Sequence, residues 1–310
     1  QTPTKSDKTE PQTPTDSDKA EPQISMDSGR RTYMNKLGVF ANLWTKDWEI
    51  DINRYVKKAG DLGFDILEFQ AQKLLNMSRD EMDELKKLAA DKNIELTYSL
   101  GLAKQFDVSS ADEGVRRGGI EYLKNIVERV GYMNGRIISG VSYAGWGCVP
   151  NDDVSGNKQP IVDRSIASMK EITKTAADYG VTYCVEVVNR YEGCVLNTAA
   201  EAVDYVKRVD APNIGILLDT YHMNIEENSF SEAIHTAAPY LKGMHFGDNN
   251  RQAPGRGHID FDEIVGALAD IGYKEQIVSE LFYAKGGEVG RDIFVWRNLI
   301  DDVSEASLDN

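Results

Sequence analysis

The chain predicts an α/β fold, a single-domain (β/α)8 barrel, and three observations carry that prediction. Short apolar runs of strand length alternate eight times with helical periodicity between Met34 and Leu299, the pattern of a parallel sheet covered by helices. The strand-like runs are almost continuously apolar, as strands buried on both faces are. Four residues able to ligate a metal, Glu186, Asp219, His245 and Glu280, each end one of four consecutive runs, and strand C-termini in a barrel converge on one mouth. A doubly wound open sheet is the alternative, but it would spread those four residues along an edge.

Residues 1–33 stand apart from this scheme. TPTKSDKTEPQ (2–12) is followed at once by TPTDSDKAEPQ (13–23), a tandem repeat holding four of the nine prolines. Such a stretch buries too little apolar surface to offset its ordering entropy. It is expected to be a disordered extension or linker, with the barrel occupying 34–310.

The elements follow in order. Lys36–Ala41 reads as the first strand, and Ile50–Leu62 as a helix with Ile52, Tyr55, Val56 and Ala59 on one face. Asp65–Phe69 is the second strand. Ser78 with Glu81 three residues on forms a capping box for a helix running to Asp91. Ile94–Ser99 is the third strand, Ala111–Val130 a helix, and Arg136–Val141 the fourth strand. Arg164–Tyr179 reads as a helix that Gly180 ends. The second half repeats the scheme: strand Thr182–Val188 with helix Thr198–Arg208, strand Ile214–Asp219 with helix Ser229–Ala238, strand Leu241–Phe246 with helix Asp260–Ile271, and strand Gln276–Leu281 with a last helix near Gly290–Leu299.

Length and composition narrow the function. A chain of 310 residues that is 41% hydrophobic can fill one large core, and barrels of this kind commonly run to about 250 residues. A net charge of −15 argues against nucleic acid or an anionic membrane as the partner. Cys148, Cys184 and Cys194 show no paired spacing, so reduced thiols and a cytoplasmic location are expected. No run approaches the length of a transmembrane helix. Neither G-x-G-x-x-G after the first strand nor G-x-x-x-x-G-K-[ST] occurs, so nucleotide binding has no motif.

Three carboxylates gathered at one mouth repel one another unless a cation neutralises them. With one imidazole they form a donor set suited to Mn²⁺, with Co²⁺ or Mg²⁺ as alternatives. Asn189, Arg190, Glu192, His222, Asn224, Asp248, Asn249, Asn250 and Arg251 lie just beyond the four residues; they read either as polyol contacts or as loop residues facing water. Phe40, Trp44, Trp146 and Phe282 follow strands and could form an apolar wall for the C–H faces of a sugar, or simply pack. Trp48 reads as an anchor for the first helix and Asn197 as a helix N-cap. With four histidines in all, and His235 falling within a helix, a multinuclear zinc nuclease is short of imidazoles.

CVEVVNRYE (184–192), LDTYHMNIEE (218–227), MHFGDNNR (244–251), PGRG (254–257), SELF (279–282), GGEVGRDIFVWR (286–297) and the opening MNKLGVFANLWTKDW with LGFDILEF closely resemble the D-tagatose 3-epimerase family. That family includes the D-psicose (D-allulose) 3-epimerases, within the xylose-isomerase-like TIM barrels, and the resemblance runs from Met34 to about Leu299. It implies that Glu186, Asp219, His245 and Glu280 bind the metal, with Glu186 and Glu280 also the catalytic acid/base pair. It implies substrate binding by Glu192, His222 and Arg251, a sugar pocket lined by Phe40, Gly140, Trp146 and Phe282, and a homodimer or homotetramer. The chain departs from the family pattern at Gly243-Met244-His245, where His-Phe-His is common, at Asp248 in place of Glu, at Ser279-Glu280-Leu281-Phe282 in place of Met-Glu-Pro-Phe, and at His258, Asp260 and Phe261 after PGRG. None of these changes removes a ligand.

The activity so implied is interconversion of ketohexoses at C3 (D-fructose with D-psicose, D-tagatose with D-sorbose). One glutamate removes the C3 proton, a metal-held enediolate forms, and the second glutamate reprotonates the opposite face. Rival readings are an aldose–ketose or hydroxypyruvate-type isomerase on the same barrel, a metal-dependent endonuclease, and a non-catalytic sugar-binding barrel.

Overall fold

Eight parallel strands pair in sequence order, and the eighth returns to the first to close a barrel. The computed structural model describes residues 35–149, 157–305 and 307–309; the repeat-bearing segment 1–33, expected to be disordered, lies outside them. The strands are β1 (Leu37–Phe40), β2 (Ile66–Gln70), β3 (Glu95–Ser99), β4 (Ile137–Ser139), β5 (Thr182–Val187), β6 (Ile214–Asp219), β7 (Leu241–Phe246) and β8 (Gln276–Ser279). Around them run α1 (Ile52–Leu62), α2 (Arg79–Asp91), α3 (Glu113–Tyr132), α4 (Gln159–Asp178), α5 (Ala199–Val209), α6 (Thr220–Glu226), α7 (Phe230–Ala237), α8 (Phe261–Asp270) and α9 (Gly287–Asp292).

Local chemistry sets most helix starts. Asp51, Asp112, Thr198, Ser229 and Asp260 each accept a first-turn N–H, and Ser78 with Glu81 forms the predicted capping box. Asn197, expected as a cap, is displaced from that role by Thr198. Its amide instead donates to the carbonyls of Val188 and Gly193 and ties down the loop after β5. α4 begins five residues before the predicted Arg164, with Pro160 in its first turn, where a missing N–H costs nothing.

Two other departures lie near the mouth. α6, unforeseen from periodicity, starts directly after β6 because the Asp219 carboxylate accepts the Tyr221 N–H at 2.7 Å and caps it. The last helix, expected near Gly290–Leu299, is instead α9, which ends at Asp292. Phe294 sits at φ +61, and the Val295 N–H turns back to the Gly290 carbonyl at 2.8 Å. That left-handed residue stops the helix.

Register decides what faces inward. The β1–β2, β2–β3 and β3–β4 pairings align Phe40 with Glu68, Glu68 with Thr97, and Ser99 with Ser139. Those of β5–β6, β6–β7 and β7–β8 align Glu186 with Leu217, Asp219 with His245, and His245 with Val278. Side chains alternate with period two, so Phe40, Glu68, Thr97, Ser139, Glu186, Asp219, His245 and, two residues past Val278, Glu280 share the inner face. A register shift between Ile216 and Leu217 moves β7 by one residue. Without it Met244, not His245, would stand beside Asp219.

The larger of two apolar clusters joins barrel and helices, with Leu67, Phe69, Leu85, Leu123, Ile138 and Ile172 fully buried, and the smaller gathers Phe40, Ile66, Val278, Phe282, Val289 and Val295. Each such side chain contributes roughly 1.5–3 kcal/mol by its removal from water. Gly140 ends β4 at φ +102, and a Cβ there would lie 2.5 Å from the Leu100 carbonyl oxygen and 2.7 Å from its nitrogen. Gly140→Ala is therefore expected to lower the unfolding free energy by about 2–3 kcal/mol, read from urea denaturation. An unchanged midpoint would show that the β3–β4 loops yield freely.

Candidate active site

The sequence pattern named four ligand candidates, and the barrel brings all of them together. Glu186, Asp219, His245 and Glu280 each offer an atom, and these atoms lie within 4.8 Å of one another. All four residues are buried, His245 fully. His245 Nδ1 lies 3.9 Å from Glu186 Oε1 and 3.7 Å from Glu280 Oε1, and it has no hydrogen-bond partner. Buried polar atoms are rarely left alone. A buried ring nitrogen facing the Glu186 and Glu280 carboxylates fits a divalent cation held by oxygen and nitrogen donors.

The electrostatics agree. Burial pushes the Glu186 carboxyl well above the usual range, and the neighbouring Glu280 charge adds to this. Burial also lifts Asp219 to about 6, against the pull of Arg251. At His245, burial opposes the charged ring, but Glu68, Glu280 and Glu186 together outweigh it and raise the pKa to about 10.

Arg251 places a permanent positive charge beside these carboxylates. Its Nη1 donates to Glu280 at 3.0 Å and to Asp219 at 3.2 Å, and its Nη2 lies 3.6 Å from Glu192. The guanidinium stacks over Tyr221, its carbon 3.9 Å from the ring centroid. Arg251 adopts φ +63, a strained value for a side-chain-bearing residue. Its N–H bonds to Asp248, and its carbonyl accepts from Phe282.

His222 is fully buried, which, with the Arg251 charge beside it, keeps the ring neutral. The Asn189 backbone N–H, which can only donate, reaches Nδ1 at 3.2 Å. Nδ1 is therefore an acceptor; Nε2 lies 3.9 Å from both Glu186 and Asp219 and 3.4 Å from Arg251 Nη2. Glu192 accepts from Asn189 Nδ2 at 3.0 Å.

Above this cluster opens a cavity of about 370 Å³, lined by Glu186, His222, Arg251 and Glu280 at its floor and by Phe40, Gly140, Trp146 and Phe282 on its walls. All four wall positions named from the sequence are present. Trp48, read as a helix anchor, also lines the cavity, held there by an Nε1–H bond of 2.8 Å to Asp292. Trp44 is not at the cavity; it stacks on Tyr55 in the core.

Several polar loop residues do not reach the site. Arg190 pairs with Glu226 at the surface. Asp248 accepts N–H groups from Asn249, Gly255, Gly257 and Ile259 and so shapes the loop that carries Arg251. Asn249 accepts from His258 N–H, and Asn250 donates to the Arg256 carbonyl. Sequence reasoning missed Glu68, whose Oε1 lies 2.8 Å from His245 Nε2. A charged residue inside the apolar run DILEF was the available signal.

The chain has counterparts among known proteins. The family model described as "Xylose isomerase-like TIM barrel" matches residues 56–300. The D-psicose 3-epimerase of Ruminiclostridium cellulolyticum is 40% identical over 275 residues, covering 88% of this chain and 93% of the relative. The L-ribulose 3-epimerase of Mesorhizobium japonicum is 32% identical, covering 87% of this chain and 89% of the relative. The crystal structure of D-psicose 3-epimerase with D-tagatose from Clostridium cellulolyticum H10 superposes with a TM-score of 0.85 at 40% identity, covering 88% of this chain and 94% of that one.

Proposed function

We propose that this chain, which belongs to the D-tagatose/D-psicose 3-epimerase family of xylose isomerase-like TIM barrels, is a metal-dependent epimerase that interconverts free ketohexoses at C3. D-fructose with D-psicose and D-tagatose with D-sorbose are the substrate pairs of this reading. The observation that carries it is that Glu186 and Glu280 open onto one sugar-sized pocket while clustering with Asp219 and His245. A Mn²⁺, Co²⁺ or Mg²⁺ ion bound by the four would supply Lewis-acid stabilisation of negative charge on the sugar oxygens.

The chain's own residues account for the rest of the reaction. One of the two glutamates takes the C3 proton, leaving the electron pair delocalised toward the C2 carbonyl as an enediolate. The other returns a proton to the opposite face, so the sugar gains and loses nothing overall. Arg251 presents its guanidinium as a donor for the oxygens at the C1–C2 end, with the neutral His222 ring beside it. Phe40, Trp48, Trp146 and Phe282 exclude water from the carbanion's surroundings.

Assembly as a homodimer or homotetramer belongs to the same proposal. Tyr191, Phe294 and Trp296, exposed by 76%, 64% and 75%, support it as an apolar patch awaiting a partner. Among the described residues no helix is long and apolar enough to cross a membrane, and Cys148, Cys184 and Cys194 are free thiols; a cytoplasmic location fits both.

Incubating D-fructose with the protein in D₂O and reading the sugar by NMR tests the activity. Deuterium at C3 with appearance of D-psicose is expected. Label at C1 instead would make the protein an aldose–ketose isomerase, and tight binding without label a sugar-binding barrel.

A further inference from the structure

We propose that Glu68 is the positioning residue that turns His245 toward the cation, holding Nε2 so that Nδ1 is the ligating atom. The inference rests on the metal reading above. Glu68 lies on β2 and His245 on β7, and both are fully buried. Their closest atoms, Oε1 and Nε2, are 2.8 Å apart.

The second carboxylate oxygen of Glu68 is also engaged. Oε2 accepts from Thr97 Oγ1 at 3.1 Å and from Ser139 Oγ at 3.4 Å. Glu68 is absent from the pocket lining, so it acts through His245 and not on a sugar. A carboxylate buried in a barrel interior is costly, and a leucine would fill the space without that cost. Its charge therefore has a use beyond packing.

Geometry shows what that use is. The two ring nitrogens of an imidazole lie on different edges, so fixing one aims the other. With the Glu68 carboxylate 2.8 Å from Nε2, the proton of a neutral ring is favoured on that nitrogen and leaves Nδ1. Nδ1 is the atom that faces Glu186 and Glu280. A carboxylate on the far nitrogen also makes a ligating histidine more basic and holds its ring plane. Thr97 and Ser139, inner-face neighbours of Glu68, keep the carboxylate itself from rotating away.

Mn²⁺ binding to chelator-stripped protein, followed by titration calorimetry, tests the assignment. Glu68→Gln keeps the volume and removes the charge; it is expected to weaken Mn²⁺ binding about 10- to 100-fold while circular dichroism shows the same fold. Co²⁺-loaded protein should show a shifted visible absorption band in that variant, which a packing role alone would leave in place. Wild-type protein that binds no Mn²⁺ would remove the metal reading itself. Wild-type that binds while Glu68→Gln binds equally well, with an unchanged Co²⁺ band, would overturn only the role given to Glu68. Should Glu68→Gln fail to fold, Thr97→Val, which keeps the carboxylate and removes its bracing hydroxyl, is expected to weaken Mn²⁺ several-fold; unchanged affinity there also overturns the proposal.

Discussion

Glu186→Gln and Glu280→Gln are each expected to cut epimerisation of D-fructose by about 10²–10⁴-fold, the usual contribution of a positioned acid or base. Glutamine keeps the side-chain volume and one oxygen donor but removes a ligand charge, so each variant is assayed at a Mn²⁺ concentration that saturates its site, with bound metal measured alongside. What the variants lose is the capacity to carry a proton. Glu186 projects from β5 and Glu280 from the end of β8, and their ligand atoms meet within one cluster. Two bases that converge from separate strands can address the two faces of one sugar carbon. Removing one of them leaves the other able to exchange the C3 hydrogen of one epimer only. In D₂O, each variant should therefore wash deuterium into at most one of D-fructose and D-psicose, and the two variants should differ in which. Washout from both sugars in a single variant would rule out the division of labour between these carboxylates.

The cluster was legible because its residues sit where polarity interrupts an apolar strand end. Asp219 closes GILLD and Glu280 follows IVS, and a barrel needs no further information to bring such ends together. His245 is a subtler case. The run LKGMHF offers no alternation that separates Met244 from His245, and the one-residue shift opposite Ile216 and Leu217 decides which of them faces Asp219. Glu68 was not legible as a partner of His245, because β2 and β7 are distant in sequence and meet only through the closed interior. Trp48 was misread for a related reason. Its place in the pocket depends on Asp292, 244 residues away, and on the contact of the Val289 N–H with the Lys46 carbonyl. The end of α9 was missed because helical periodicity continues past Asp292, whereas the chain turns at the left-handed Phe294 and buries Val295 with Phe40, Phe282 and Val289.

Chelation is expected to abolish activity, and added Mn²⁺ or Co²⁺ to restore it, with a stabilisation that depends on pH in a set direction. In the cation-free protein Asp219 titrates near 6 and Glu186 well above its ordinary value, chiefly because both are buried. Their folded pKa values exceed the unfolded ones, so their ionisation opposes folding, and that cost grows as pH rises from the unfolded carboxylate range through 6 and beyond. His245, held up to about 10 by the carboxylates around it despite burial, contributes stability below its unfolded pKa that is lost as pH rises through 10. A cation must displace protons from both kinds of group, so its apparent affinity increases with pH. A ligand at 100 times its dissociation constant adds about 2.7 kcal/mol. The rise in Tm on adding Mn²⁺ should therefore be larger at pH 8 than at pH 5. Equal shifts at the two pH values would mean that the ion binds elsewhere than among these carboxylates. Full turnover after exhaustive chelation would mean that the glutamates work without it.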